Sequence, residues 1–354
     1  VVFVSDAGSV KSSNSVSLRR WQRVEAQITK LGQISISLGS LDRSDKFKPT
    51  FKQLNRELVL SQNASVVIAG QLNGDAIINC FNGKIEQPEI YVGSNSLASW
   101  DFSRNMSSMT VPGSGCPNLK LINAPTRAVT GALWDASEMN WQHKPEHYAS
   151  IAFHEDDIYD FNWEPDFSFV IPPNMPSGIY IMRISCGDDY DAMPFFVCPE
   201  KDKPQAKVCV LVSTFTYVIY GNHARPDYDD TWLEKIADWN AYPHNPAQFQ
   251  NYGLSTYNNH SDGSGVCHAS HKRPLFNLRP GYLTFGQAKC SGLRHFQADS
   301  HLISWLHAKG IEYDIITDEE LHTEGVSAIQ SYKAVLTGSH PEYHTNETLE
   351  ALTQ

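Results

Sequence analysis

Apolar and polar positions change their period along this chain, and the changes mark three regions. The first is dominated by alternation of period two: in QISISLGS (33–40), Ile34, Ile36 and Leu38 fall on one face of a strand. Apolar runs follow in LVL (58–60), SVVIAGQL (65–72), DAIINCF (75–81) and EIYVG (89–93). Asn73-Gly74 and Asn82-Gly83 stand between them as hairpin turn signals, and the whole pattern predicts a β-sandwich. Between Trp134 and Pro199 the strand candidates are FSFVIP, GIYIMRIS and AMPFFVCP, separated by the turn-rich PPNMPSG and CGDDYD. A second, small immunoglobulin-like sandwich accounts for them.

The charged, proline-bearing EKDKPQAK (200–207) has no apolar period and reads as a linker, after which the pattern changes. VCVLVSTF is continuously apolar, as a strand buried on both faces of a parallel sheet must be. ADSHLISWLHAKG places Leu302, Ile303 and Leu306 at helical spacing and stops at Gly310. EYDIIT, DEELHTEG, KAVLTG and TNETLEAL then alternate strand, helix, strand, helix, which predicts a doubly wound parallel sheet. Between its first strand and first long helix lies an insertion, about 218–297, with little regular period and many Tyr, His, Asn and Gly. So long a connection within an α/β domain marks a functional region. Near the amino end, SWDFSRNM and LKLINAPTRAVTGALWD resemble the closing strands of concanavalin-like jelly rolls, here expected to be structural because no calcium-loop or sugar-stacking constellation accompanies them.

The 354 residues exceed what one core usually serves, and 41 % apolar content is ample for packed cores. No apolar run approaches the roughly 18 residues needed to cross a bilayer, and the opening VVFVSDAGSV lacks a basic n-region and a cleavage site. Seven scattered cysteines without a CxxC pair argue against a disulfide framework or a thiolate zinc site, so a reducing, cytoplasmic setting is expected. A net charge of −11 excludes the clustered basic surface that a nucleic-acid partner needs. With no initial methionine and a helix barely begun at HTNETLEALTQ, the chain is expected to be a segment of a longer polypeptide.

Ligands of open α/β sheets bind beyond the carboxyl ends of the strands. Two segments meet that description, Ser213-Thr214-Phe215-Thr216-Tyr217 and Ser339-His340-Pro341-Glu342-Tyr343, and the insertion adds NYGLSTYNNHSDGSGVCHAS. Taken together, STFTY, YGLSTYNNHSDGSGVC, RHFQADSHLISWL, DIITDEELHTEG and VLTGSHPEY resemble the large (β) subunit family of N,N-dimethylformamidase, and RAVTGALWDASEM extends the likeness. The resemblance implies β-rich front modules, a glutamine-amidotransferase-like α/β domain and a mononuclear Fe(III) held by two tyrosines and a glutamate. Motif by motif, it places the iron ligands at Tyr217, Tyr257 and Glu342, with Ser213 and His340 beside the metal as catalytic groups. It further implies a small amide as substrate, a small helical companion subunit, homo-oligomerisation and active-site groups beyond Gln354. The expected organisation is therefore a jelly roll over 1–133, an immunoglobulin-like module over 134–200, and the front part of the catalytic domain over 205–354.

The chemistry stands on its own terms. Phenolates and a carboxylate are hard oxygen donors that favour Fe(III). Such an ion can polarise an amide carbonyl and acidify water, while His340 shuttles a proton to the departing amine and Ser213 positions water or the carbonyl oxygen. Each residue also has a plainer reading. A tyrosine at a strand end commonly packs with its hydroxyl on a backbone partner, Glu342 can cap the helix beginning near Thr345, and His340 can bond within a turn. Tyr220, Tyr252 and Tyr343 are the neighbours to which the register can shift. Rival sites are Cys267 in Ser264-Gly265-Val266-Cys267-His268, as the nucleophile of a cysteine-dependent amidotransferase-like hydrolase, and a metal set from His260, Asp262 and His268. The run His154-Glu155-Asp156-Asp157 has the residue types of a metal cluster but reads first as a solvated loop. A non-catalytic, carbohydrate-binding multi-domain protein is the non-enzyme alternative.

Overall fold

Strands outnumber helices in the computed structural model, which describes residues 2–5, 8–41, 50–53, 65–201, 203–225, 228–287 and 289–354. The LVL run (58–60) and Asp202 of the linker lie outside the described residues. The chain divides into two compact units, Val1–Lys120 with Arg127–Glu155, and Leu121–Thr126 with Asp156–Gln354. Residues 134–155 thus belong to the first unit and 156–200 to the second. The protein is multi-domain, with antiparallel β structure in the first unit and an α/β layer in the second. Among the described residues no helix is long and apolar enough to cross a membrane.

The first unit is built from sheets of two and three strands. Gln33–Ser40 pairs antiparallel with Gln22–Ile28 on one side and Thr50–Gln53 on the other. Ile34, Ile36 and Leu38 are buried as their alternation predicts, and Ile34 and Ile36 pack with Val10. Asn73-Gly74 does turn a hairpin between Gln71–Asn73 and Ala76–Ile78, with Gly74 at φ 61° where a side chain would be strained. Asn82-Gly83 does not: Gly83 opens a strand that pairs with the distant Ser150–Phe153. The unit also relies on Arg127, whose guanidinium donates to the carbonyls of Phe102, Arg104, Asn105 and Ser108 at 2.6–3.1 Å, closing a loop that has no ladder of its own.

In the second unit, β1 (Gly178–Cys186) and β2 (Asp189–Val197) form a hairpin through Gly187-Asp188. The predicted strand FSFVIP is instead irregular and exposed, with Val170 86 % accessible. Next come β3 (Val208–Val212), α1 (Thr214–Ile219), α2 (Asp230–Trp239), α3 (Phe296–Ala308), β4 (Tyr313–Thr317), α4 (Asp318–Glu324), β5 (Ala334–Thr337) and α5 (Asn346–Thr353). The three strands from β3 onward are parallel in the order β4-β3-β5. Both faces of β3 are covered. Val210 and Val212 pack with Phe296, Leu306 and Ile315 on one side, while Cys209 and Leu211 pack with Ile316, Leu321 and Ala351 on the other.

Because the chain leaves β3 toward β4 and then crosses to β5 on the opposite side, the sheet has a switch point between the carboxyl ends of β3 and β5. The insertion contains one helix that its sequence does not announce, α2, started by the Asp229 carboxylate on Trp232 N (3.1 Å). Trp232 is fully buried against Ile236 and Leu283 and gives the insertion a small core.

A buried acid makes this fold sensitive to pH. Asp318, at the first turn of α4, accepts from Phe215 N at 2.9 Å, and burial pushes its carboxyl up to about 7 from 3.8. Between pH 4 and 7 the folded chain keeps a proton that the unfolded chain has lost, so this group's contribution to stability falls as pH rises through that window. Asp318→Asn, which retains an acceptor, is therefore expected to stabilise the protein by up to about 4 kcal/mol at pH 8 and by little near pH 4. Denaturant midpoints of the two proteins at both pH values check this.

Candidate functional site

A helix of six residues can satisfy few of its own carbonyls, and α1 at the switch point takes its partners from elsewhere. Ser255 Oγ and Thr256 Oγ1 both donate to Ile219 O, at 2.9 and 3.2 Å. Asn277 Nδ2 donates to Tyr217 O at 2.9 Å. The buried Arg273 forks across Ser270 O, Leu254 O and Gly221 O at 2.7–3.2 Å. Asn222, at φ 60°, holds the same loop by donating to Pro274 O (2.7 Å) and accepting from Phe276 N (3.0 Å). The segment after β5 is tied to the same helix, since Thr216 Oγ1 accepts from the backbone N–H of both Glu342 and Tyr343 at 3.2 Å.

These anchors bring one set of side chains together. Tyr220, the residue that caps α1, stacks on Tyr257 with ring centroids 4.2 Å apart and an interplanar angle of 11°. Its hydroxyl donates to Glu342 Oε2 at 2.7 Å, and His340 Nε2 meets the same carboxylate oxygen at 2.7 Å. The Tyr257 and Tyr343 hydroxyls are bonded to each other. Arg294 lies over the Tyr220 ring at 4.4 Å, and His295 lies 4.4 Å from that ring and 5.2 Å from His340.

Of the expected residues, Tyr257, Glu342 and His340 therefore meet, but around Tyr220. Tyr217 is fully buried against Phe296, and its hydroxyl donates to the Asp299 carboxylate, which also accepts from Ser339 N. Gly338 beside it has no room for a side chain, because a Cβ there would meet the same carboxylate. Ser213 is buried at the start of α1, where its carbonyl accepts from Tyr217 N at 3.1 Å. Tyr252 stacks on Phe249 and Phe276 in the insertion. Arg294 and His295 open the string RHFQADSHLISWL that carries part of the resemblance, but no role was assigned to them there.

The electrostatics separate the two tyrosines of α1. Burial and the Asp299 carboxylate raise the Tyr217 phenol well above its ordinary value, so it stays protonated. Tyr220 and Tyr257 are raised too, burial being the first cause in each; for Tyr220 the nearby Arg294 acts in the opposite sense. Glu342 is held below the usual carboxylate range, first by the hydrogen bond from Tyr220 and then by His340. Burial, followed by Arg294 and His340, pushes His295 down to about 3.

The rival sites are placed as follows. Cys267 is exposed in a loop, its thiol donating to Gly265 O at 3.5 Å, with no strand-to-helix elbow around it. His260 is buried, with Nδ1 2.6 Å from Asp156 Oδ1 and Nε2 3.9 Å from Asp157 Oδ1. It shares a recess with His268, Ser270 and Arg273, whereas Asp262 turns back onto Ser264. The imidazole and carboxylates there are metal-ligating types, from elements other than the tyrosine cluster.

Residues 126–354 match the family described as N,N-dimethylformamidase beta subunit-like, C-terminal. The chain is 36 % identical over 295 residues to the N,N-dimethylformamidase beta subunit of Paracoccus aminophilus, and 36 % identical over 296 residues to that of Alcaligenes sp.. Each match covers 75 % of this chain and 38 % of the relative, so the chain spans well under half the length of these curated relatives.

Arg273→Lys tests the anchoring. A lysine keeps the charge but not the fork, and hydrogen bonds from a charged donor are worth more than neutral ones. A loss of about 2 kcal/mol in unfolding free energy is expected, with faster proteolytic cleavage in the 250–273 loop. Unchanged cleavage there would show that the fork does not hold it.

Proposed function

The chain belongs to the N,N-dimethylformamidase beta subunit-like family, and from that premise we propose that it is part of an enzyme hydrolysing N,N-dimethylformamide or a related small amide to the amine and the acid. The names of its relatives support the reaction class. We propose a mononuclear ferric ion as its cofactor, held by Tyr220, Tyr257 and Glu342. The observation that carries this assignment is the donor set: two stacked phenols and a carboxylate, one phenol already 2.7 Å from that carboxylate, all oxygen and suited to a hard cation. Tyr217 fits less well, because its hydroxyl is engaged by Asp299 in the core. Bound there, the ion would supply Lewis acidity toward the amide carbonyl.

The chain's own residues do the remaining work. His340, on the Glu342 carboxylate, can take up the proton released by the water that attacks the carbonyl carbon and pass it to the nitrogen of the departing amine as the C–N bond breaks. Arg294, over Tyr220, favours the deprotonated phenol and attracts the carboxylate product. Ser213, at the start of α1, can position water or the carbonyl oxygen through its hydroxyl.

The parallel order β4-β3-β5 supports a glutamine-amidotransferase-like domain as the catalytic part, and the antiparallel first unit is compatible with a jelly roll. The relatives' designation as beta subunits supports a companion subunit. Seven unpaired cysteines are consistent with a cytoplasmic setting.

The test uses the full-length protein with its companion subunit. Tyr220→Phe and Tyr257→Phe are expected to lose most of the bound iron, the visible phenolate-to-iron band and more than about 100-fold in amide hydrolysis. Tyr217→Phe should keep the iron. An active protein that is colourless and iron-free sinks the metal assignment; iron lost from the Tyr217 variant but kept in the Tyr220 variant returns the ligand to Tyr217.

A further inference from the structure

His295 is 4 % exposed, and its Nε2 is buried without a hydrogen-bond partner among the described residues. Buried polar atoms are nearly always bonded, and an exception points to a place kept for a ligand or a water. The residue also holds φ 52° and ψ −122°, a conformation side chains rarely adopt. Such strain persists where the surroundings over-determine it, commonly at functional sites. Here the carbonyl of His295 accepts from Asp299 N at 2.8 Å, and the next turn is fixed by Gln297, which donates to Asn277 O and Arg279 O at 2.7 and 2.9 Å. The ring is thus held against Tyr220 and His340 and has little freedom to seek a partner elsewhere.

We infer that His295 is a substrate-binding residue of this site, donating Nε2–H to the carbonyl oxygen of the bound amide. The inference rests on the amide-hydrolysing reading of the cluster. A fully substituted amide has no N–H, so its carbonyl oxygen is the one strong hydrogen-bonding handle it offers. An imidazole carrying hydrogen on Nε2 is the matching donor. As negative charge grows on that oxygen during attack the bond strengthens, so the residue acts on rate as well as on binding.

Two variants of the full-length protein with its companion subunit test this. His295→Phe keeps a flat ring against Tyr220 and removes the donor, whereas His295→Gln keeps an N–H. The Phe variant is expected to lower kcat/KM for N,N-dimethylformamide by roughly 100-fold. It should hold the wild-type amount of iron and unfold at the same or a higher temperature, since an unsatisfied buried atom has gone. The Gln variant should recover part of the activity. A fully active Phe variant overturns this inference alone, as does one that loses stability and iron together with activity, which would make the nitrogen structural. Should the Phe variant not fold, a folded Gln variant with no activity above background overturns it and one with partial activity supports it. Absence of amide hydrolysis in the wild type overturns the functional reading and this inference with it.

Discussion

The organisation of the second unit follows from a shortage of hydrogen-bond partners at one place. The strand Val208–Val212 leads into a helix of six residues, whose Tyr217 and Ile219 carbonyls have no continuing turn to bond. Ser255, Thr256 and Asn277 of the insertion fill those positions, Arg273 holds the Gly221 carbonyl just beyond the helix, and the hydroxyl of Thr216 captures the chain after the third parallel strand. Closing the helix and assembling the cluster are consequently one event. The residues that satisfy the backbone, Ser255 and Thr256, immediately precede Tyr257, and the amides held by Thr216 are those of Glu342 and Tyr343. The site's geometry is inherited from capping.

Helical periodicity then sorts the two tyrosines. Tyr217 lies within the helix and is drawn into the core beside Phe296, whereas Tyr220, also buried, sits at the cap, where the chain has begun to leave the helix, and meets Tyr257 and Glu342. The Asp299 carboxylate completes the division by engaging the buried phenol and the amide of Ser339 together, so that one buried acid links the first helix to the exit of the third strand. Breaking only one side of such an arrangement leaves a charge without its partner in a dry environment.

Much of this was legible beforehand, and the misses have identifiable causes. Continuous apolar runs gave the parallel strands, because a strand covered on both faces leaves no polar alternation to confuse with a helix. That Glu342 and His340 follow a strand was readable from their position, and Tyr257 entered with the motif that carries the resemblance. Tyr220 stood only as a neighbour to which the register can shift, since nothing in STFTYVIYGN says where a six-residue helix stops. The helix Asp230–Trp239 was hidden by its short apolar stripe, and its stability comes from Trp232 meeting Leu283, a contact across fifty residues that periodicity does not register. FSFVIP has strand-forming residues but pairs with no strand among the described residues, and Asn82-Gly83 has the composition of a hairpin turn yet begins a long-range pairing. His295 stood in the motif RHFQADSHLISWL without a role, since an unbonded ring nitrogen leaves no mark on a sequence.

The hydrogen bond between Tyr220 and Glu342 joins residues 122 positions apart. During synthesis at about 5–20 residues per second, the carboxylate emerges roughly 6–24 s after the phenol. Until then the first helix has neither its insertion nor its third strand, and the tyrosines have no acid to face. The nascent chain thereby lacks the full cluster of two phenols and a carboxylate until the parallel sheet has closed, which makes the cluster a late product of folding rather than a local one.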